Sequence, residues 1–103
     1  MNIEKLQEGE VLTLVLDGKL DTQTAPQLEA VLLPALDEAK KTVLDFTKVS
    51  YVSSAGLRVL LQGQKKSVRG NVSMTITGVA PSIMEIFELV GFADVLNIVT
   101  VPK

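Results

Sequence analysis

A chain of 103 residues, 47% of them hydrophobic, with ten basic and twelve acidic side chains and net charge −2, has the size and apolar content of one domain with a substantial core. Its charges are interspersed and only 4% of its residues are aromatic, which leaves neither a basic footprint nor stacking platforms for nucleic acid. Cysteine and histidine are both absent, removing disulfides, thiol catalysis, Cys-based zinc sites and the commonest general base and transition-metal ligand.

No apolar run approaches the ~18 residues of a membrane span, and the opening MNIEKLQEGE has no signal-peptide pattern. A cytoplasmic protein needing no cofactor and no membrane partner is expected. Residues 2–8 read as a weak strand anchored by Ile3 and Leu6, and Gly9 marks a turn. Val11 to Leu16 is β-branched and almost wholly apolar, the pattern of a strand buried on both faces; Asp17-Gly18-Lys19-Leu20-Asp21 closes it. Thr24 and Gln27 have capping-box spacing, and Leu28, Val31, Leu32, Ala35, Leu36 and Ala39 then share a helical face. Pro34 interrupts that face and predicts a kink or break.

Val43–Phe46 reads as a strand and Thr47-Lys48-Val49-Ser50 as a polar turn, with a short apolar step at Tyr51-Val52. A helix is expected from Ser54 to about Arg69, with Leu57, Leu60, Leu61 and Val68 near its inner face. Gly70-Asn71 stops it, and Lys65, Lys66 and Arg69 complement its negative C-terminal end. Val72, Met74 and Ile76 alternate with polar residues in a further strand ended by Gly78. Pro81 opens a helix with the stripe Ile83, Ile86, Phe87 and Val90, and Val95–Val101 reads as a final edge strand. The order β-β-α-β-α-β-α-β specifies an α/β domain over residues 1–103: a mostly parallel, mixed sheet of four to five strands with right-handed crossovers.

Chemistry concentrates where the third strand meets the second helix. Ser53 or Ser54 is the N-cap, an oxygen at the positive end of a helix dipole; a serine there is also simply a good cap. In parallel sheets, sites form at the carboxyl ends of strands. If the second and third strands are neighbours, Asp21 and Ser54 lie at one sheet edge. With no histidine or cysteine to activate the hydroxyl, and no Gly-x-Ser-x-Gly elbow, a hydrolase is disfavoured. A serine receiving a phosphoryl group from another enzyme fits the residues better.

Three segments, GKLD (18–21), LDFTKVSYVSSAGLRVLL (44–61) and GVAPSIMEIFELVGFADVL (78–96), resemble the STAS domain of bacterial anti-sigma factor antagonists, in order and over nearly the whole chain. The resemblance implies a non-enzymatic partner-switching protein. Its unphosphorylated form binds an anti-sigma factor that is also a serine kinase, and phosphorylation releases that partner. A PP2C-type phosphatase restores binding, and the free protein is a monomer. The acceptor position falls on Ser54, with Ser53, standing where the best-known members carry aspartate, as a second candidate. Asp21, Ser53, Ser54 and Gly56 fall at the partner surface. The alternative is an unswitched STAS scaffold or transporter-associated subunit in which Ser54 only caps its helix.

Overall fold

In the computed structural model, which describes residues 1–99, the chain runs β1 (Asn2–Glu8), β2 (Val11–Leu20), α1 (Ala25–Glu38), β3 (Lys41–Val52), α2 (Ser54–Arg69), β4 (Ser73–Thr77), α3 (Pro81–Leu89), a 3-10 turn (Phe92–Asp94) and β5 (Asn97–Val99). The five strands form one sheet in chain order, β1-β2-β3-β4-β5. β1 is antiparallel to β2 and all other neighbours are parallel. Each crossover therefore steps the same way across the sheet, and crossovers of one hand stepping one way put all three helices on one face.

Burial follows from that. Leu12, Leu14, Leu16, Leu44, Phe46, Met74 and Ile76 are sealed beneath the helices. The residues between them, Val11, Thr13, Val15, Val43, Asp45, Thr75 and Thr77, are only half-buried on the bare face. The expectation that β2 is buried on both faces is corrected: its continuous apolar run serves one covered and one open side. β1 shows the same split. Ile3 pairs with Leu16 toward the core, whereas Leu6 pairs with Thr13 on the open face and is 47% exposed.

α1 runs unbroken through Pro34. The carbonyl that Pro34 cannot bond is that of Ala30, and both residues are exposed, so water can serve it. α2 is rotated from its expected orientation. Its buried stripe is Gly56, Val59, Leu60, Gly63 and Ser67, while Val68 is 69% exposed. Small residues face inward because α2 lies close against its neighbours: a β-carbon added at Gly63 would come within 2.8 Å of Leu32 Cδ2 and 2.9 Å of Met74 Sδ. Phe46 and Phe87 meet at 6.4 Å between ring centroids, joining β3 to α3. The last strand begins at Asn97, after the 3-10 turn, and the expected residues 100–101 lie outside the described residues.

Candidate functional site

β3 is longer than its sequence suggests. The polar stretch Thr47–Ser50 is not a turn but part of a continuous strand. It is accommodated by two register shifts against β2, between the pairs Val15–Asp45 and Asp17–Lys48 and again between Gly18–Val49 and Lys19–Tyr51. Each places one extra residue on β3, the signature of a bulge, which bends and twists the bulged strand. β4 leaves β3 at Asp45–Thr77, so β2 and β3 continue as a two-stranded extension to Leu20–Val52. The Ser53 amide donates to Leu20 O at 2.8 Å. The adjacency that the sequence left conditional is thus met: the chain leaves β2 at Asp21 beside the point where it leaves β3 at Ser53.

The two serines have different surroundings. Ser53 is the N-cap, extended at φ −91° and ψ 174°, and its Oγ accepts from Gly56 N at 3.3 Å. Ser54 is the first helical residue and is exposed. Among the described residues no hydrogen bond engages its hydroxyl, so the oxygen is left to solvent.

Asp21 organises the neighbouring loop. Its Oδ1 accepts from Gln23 N and Thr24 N, each at 3.0 Å. The Thr24 hydroxyl donates to Lys19 O at 2.6 Å and accepts from Asp21 N at 2.8 Å. The Thr24–Gln27 capping box is therefore not formed; Thr24 faces back into the loop, and Gln27 donates to Met1 O at 2.8 Å. The Thr24 amide is the largest influence holding the Asp21 carboxyl below its ordinary pKa, with the Gln23 amide, the Thr24 hydroxyl and the Lys19 charge adding to it and desolvation opposing it.

Gly56 is buried, so it offers no surface of its own. An added β-carbon would lie 2.6 Å from Leu20 Cγ and 3.0 Å from Leu20 O. Glycine here lets the first turn of α2 seat directly on the end of β2, which sets where Ser53 and Ser54 stand. Two features escaped sequence reasoning. Thr24 locks the Asp21 loop, which its caplike spacing concealed. Arg58, exposed and one turn beyond Ser54, borders a shallow groove of about 170 Å³ between α1 and α2 with Pro26, Glu29, Ala55 and Gln62; only its spacing of four from Ser54 could have flagged it. Among the described residues there is no cluster of acidic side chains arranged to hold a metal, and no helix is long and apolar enough to cross a membrane.

This arrangement has known counterparts. The family model for the STAS domain matches residues 2–101. The chain belongs to the STAS domain family. Its relatives include the anti-sigma-B factor antagonist of Staphylococcus epidermidis, 29% identical over 99 residues covering 95% of this chain and 92% of that protein. BtrV of Bordetella bronchiseptica, assigned by name to anti-sigma factor antagonism, is 33% identical over 89 residues, covering 85% of this chain and 77% of its own. Among solved structures, the Bacillus cell fate determinant SpoIIAA in its phosphorylated form superposes with a TM-score of 0.76 at 15% identity, covering 99% of this chain and 93% of that one. This STAS domain thus shares its fold with a protein whose phosphorylated state has been solved.

Proposed function

We propose that this STAS domain is an anti-sigma factor antagonist controlled by phosphorylation of Ser54. The unmodified surface formed by the Asp21 loop and the start of α2 binds an anti-sigma factor that doubles as a serine kinase, freeing the sigma factor; phosphorylation breaks that complex, and a PP2C-type phosphatase restores it. The supporting observation is the division of labour between adjacent serines: Ser53 caps the helix, while the Ser54 hydroxyl is exposed and uncommitted. In the transfer, Ser54 Oγ bonds to the γ-phosphorus of Mg·ATP, the bond to the β-phosphate oxygen breaks, and ADP leaves. The serine proton passes to a base of the kinase, since this chain has no histidine or cysteine.

The modification adds about 1.5–2 negative charges at a helix end that favours an anion by ~0.3–1 kcal/mol, so the domain tolerates it. Within a complex the same group brings bulk and like charge beside Asp21. A loss of ~3 kcal/mol is enough to weaken binding more than a hundredfold. SpoIIAA has been solved in phosphorylated and unphosphorylated forms, and both share this fold, with TM-scores of 0.76 and 0.75. The fold itself does not choose the role, because a sulfate transporter family protein from Wolinella succinogenes also superposes, with a TM-score of 0.76 at 20% identity.

The test is intact mass after incubation with the candidate kinase and Mg·ATP, for wild type, Ser54→Ala and Ser53→Ala. One added phosphate that is lost only in Ser54→Ala is expected. Its persistence in Ser54→Ala and loss in Ser53→Ala would move the site by one residue. No incorporation with any partner kinase would refute the switch and leave an unswitched scaffold.

A further inference from the structure

We propose that Arg58 captures the phosphate of phosphorylated Ser54 within the same chain, so that the modification withdraws a cation from the α1–α2 groove as well as adding an anion. This rests on the reading of Ser54 as the acceptor. Residues four apart on a helix are surface neighbours, with β-carbons about 5–6 Å apart. Helical side chains lean toward the N-terminus, so a long side chain at position 58 is directed over the turn that begins with Ser54. Both residues are exposed, which leaves the approach open.

Arg58 is available for this contact. It borders the groove opposite Glu29, yet among the described residues no ion pair joins them or engages Arg58. The competing charges sort the phosphate toward it. Asp21, whose carboxyl the loop amides hold below its ordinary pKa, lies on the β2 side, with Lys19 preceding it in the chain; Glu29 lies across the groove on α1. A dianion on Ser54 is repelled by Asp21, and the guanidinium offers it a planar pair of donors that match phosphate oxygens. In the unmodified protein the same guanidinium stands exposed at the groove rim. Phosphorylation turns it back on its own helix. The groove, in which Glu29 is the other charged lining residue, then presents a net negative wall.

The experiment installs phosphoserine at position 54 during synthesis by coded incorporation, in the wild-type background and with Arg58→Gln or Arg58→Lys. The phosphate is titrated by ³¹P NMR at low salt, and the Arg58 Nε–H resonance is followed. The expected second phosphate pKa is lower by roughly half a unit with Arg58 than with Arg58→Gln, with Arg58→Lys between them. The difference should shrink at 0.5 M salt, where the Debye length falls to about 4 Å. The Nε–H signal should move as the phosphate ionises. Coincident titration curves for wild type and Arg58→Gln, in samples with matching circular dichroism, would overturn the proposal. Because no kinase is used, this outcome is separate from that of the mass experiment. A chain that no kinase modifies loses the switch even if an installed phosphate is held by Arg58.

Discussion

Replacing Gly56 by alanine tests the geometry on which the site depends. The new β-carbon would lie 2.6 Å from Leu20 Cγ, 3.0 Å from Leu20 Cδ2 and 3.0 Å from Leu20 O. Carbon pairs settle near 3.5–4.0 Å, so the overlap is on the order of 1 Å. Leu20 is fully buried, and its carbonyl is tied to the Ser53 amide at 2.8 Å. The start of α2 must therefore lift from β2. Overpacking of this kind costs about 1–3 kcal/mol, partly offset by the ~1 kcal/mol advantage of alanine over glycine in a helix, for a net loss of up to about 2 kcal/mol. Urea unfolding monitored by circular dichroism should show a lower midpoint at an unchanged slope, and amide shifts should change from Ser53 to Leu57. Gly63→Ala is the comparison, because its added carbon meets only the flexible ends of Leu32 and Met74 and should cost less. Undiminished stability in Gly56→Ala with unmoved Ser53 and Ser54 amides, or a larger loss in Gly63→Ala, would refute the close-approach reasoning.

The adjacent serines should separate in stability as well as in chemistry: Ser53→Ala removes the cap and lowers stability by about 0.5–1 kcal/mol in urea, while Ser54→Ala is neutral within ~0.5 kcal/mol. The depressed folded-state pKa of Asp21 gives stability that is present above its unfolded value of about 3.9 and is lost as pH falls through the folded pKa. Asp21→Asn keeps an acceptor but removes the titration, so the wild-type advantage expected near pH 6 should begin to shrink as pH falls to about 4 and be gone below the folded pKa, and a pH-independent difference would contradict the assignment. Thr42 is fully buried, and among the described residues its hydroxyl has no hydrogen-bond partner. Thr42→Val should therefore raise stability by about 1 kcal/mol, or ~4–8 °C in Tm, and a fall in Tm would show that the hydroxyl has a partner.

Element order, mixed sheet and helix start were legible because they rest on strong local signals: β-branched runs, Gly70 and Gly78 as stops, and serine before a helical pattern. What escaped notice depends on neighbours. The inner face of α2 was misplaced because Leu57, Leu61 and Val68 draw attention by their hydrophobicity, while the close contact of α2 with Leu20 and Leu32 selects Gly56 and Gly63. Thr47–Ser50 has the composition of a turn, yet β2 supplies hydrogen-bond partners and the surplus residues become bulges. Pro34 leaves without a donor the carbonyl of Ala30, itself an exposed residue, and α1 continues through it. At the candidate site, the placing of Asp21 after β2 and of Ser53 and Ser54 after β3 was readable from the strand and helix pattern, whereas telling which serine caps the helix required its boundary to be fixed to one residue.

The agreement between strand order and chain order has a consequence for how the molecule comes into being. Each strand docks on the one synthesised just before it, so the nascent sheet extends in a single direction and no late segment must thread between earlier ones. The Asp21 loop, both serines and Arg58 all belong to the first 58 positions, and their platform of β2, β3 and α1 precedes α2. On the ribosome the residues of the proposed switch are laid out before the distal margin of the sheet exists. That margin, β4 to β5, is added last, onto an edge of β3 that is already in place.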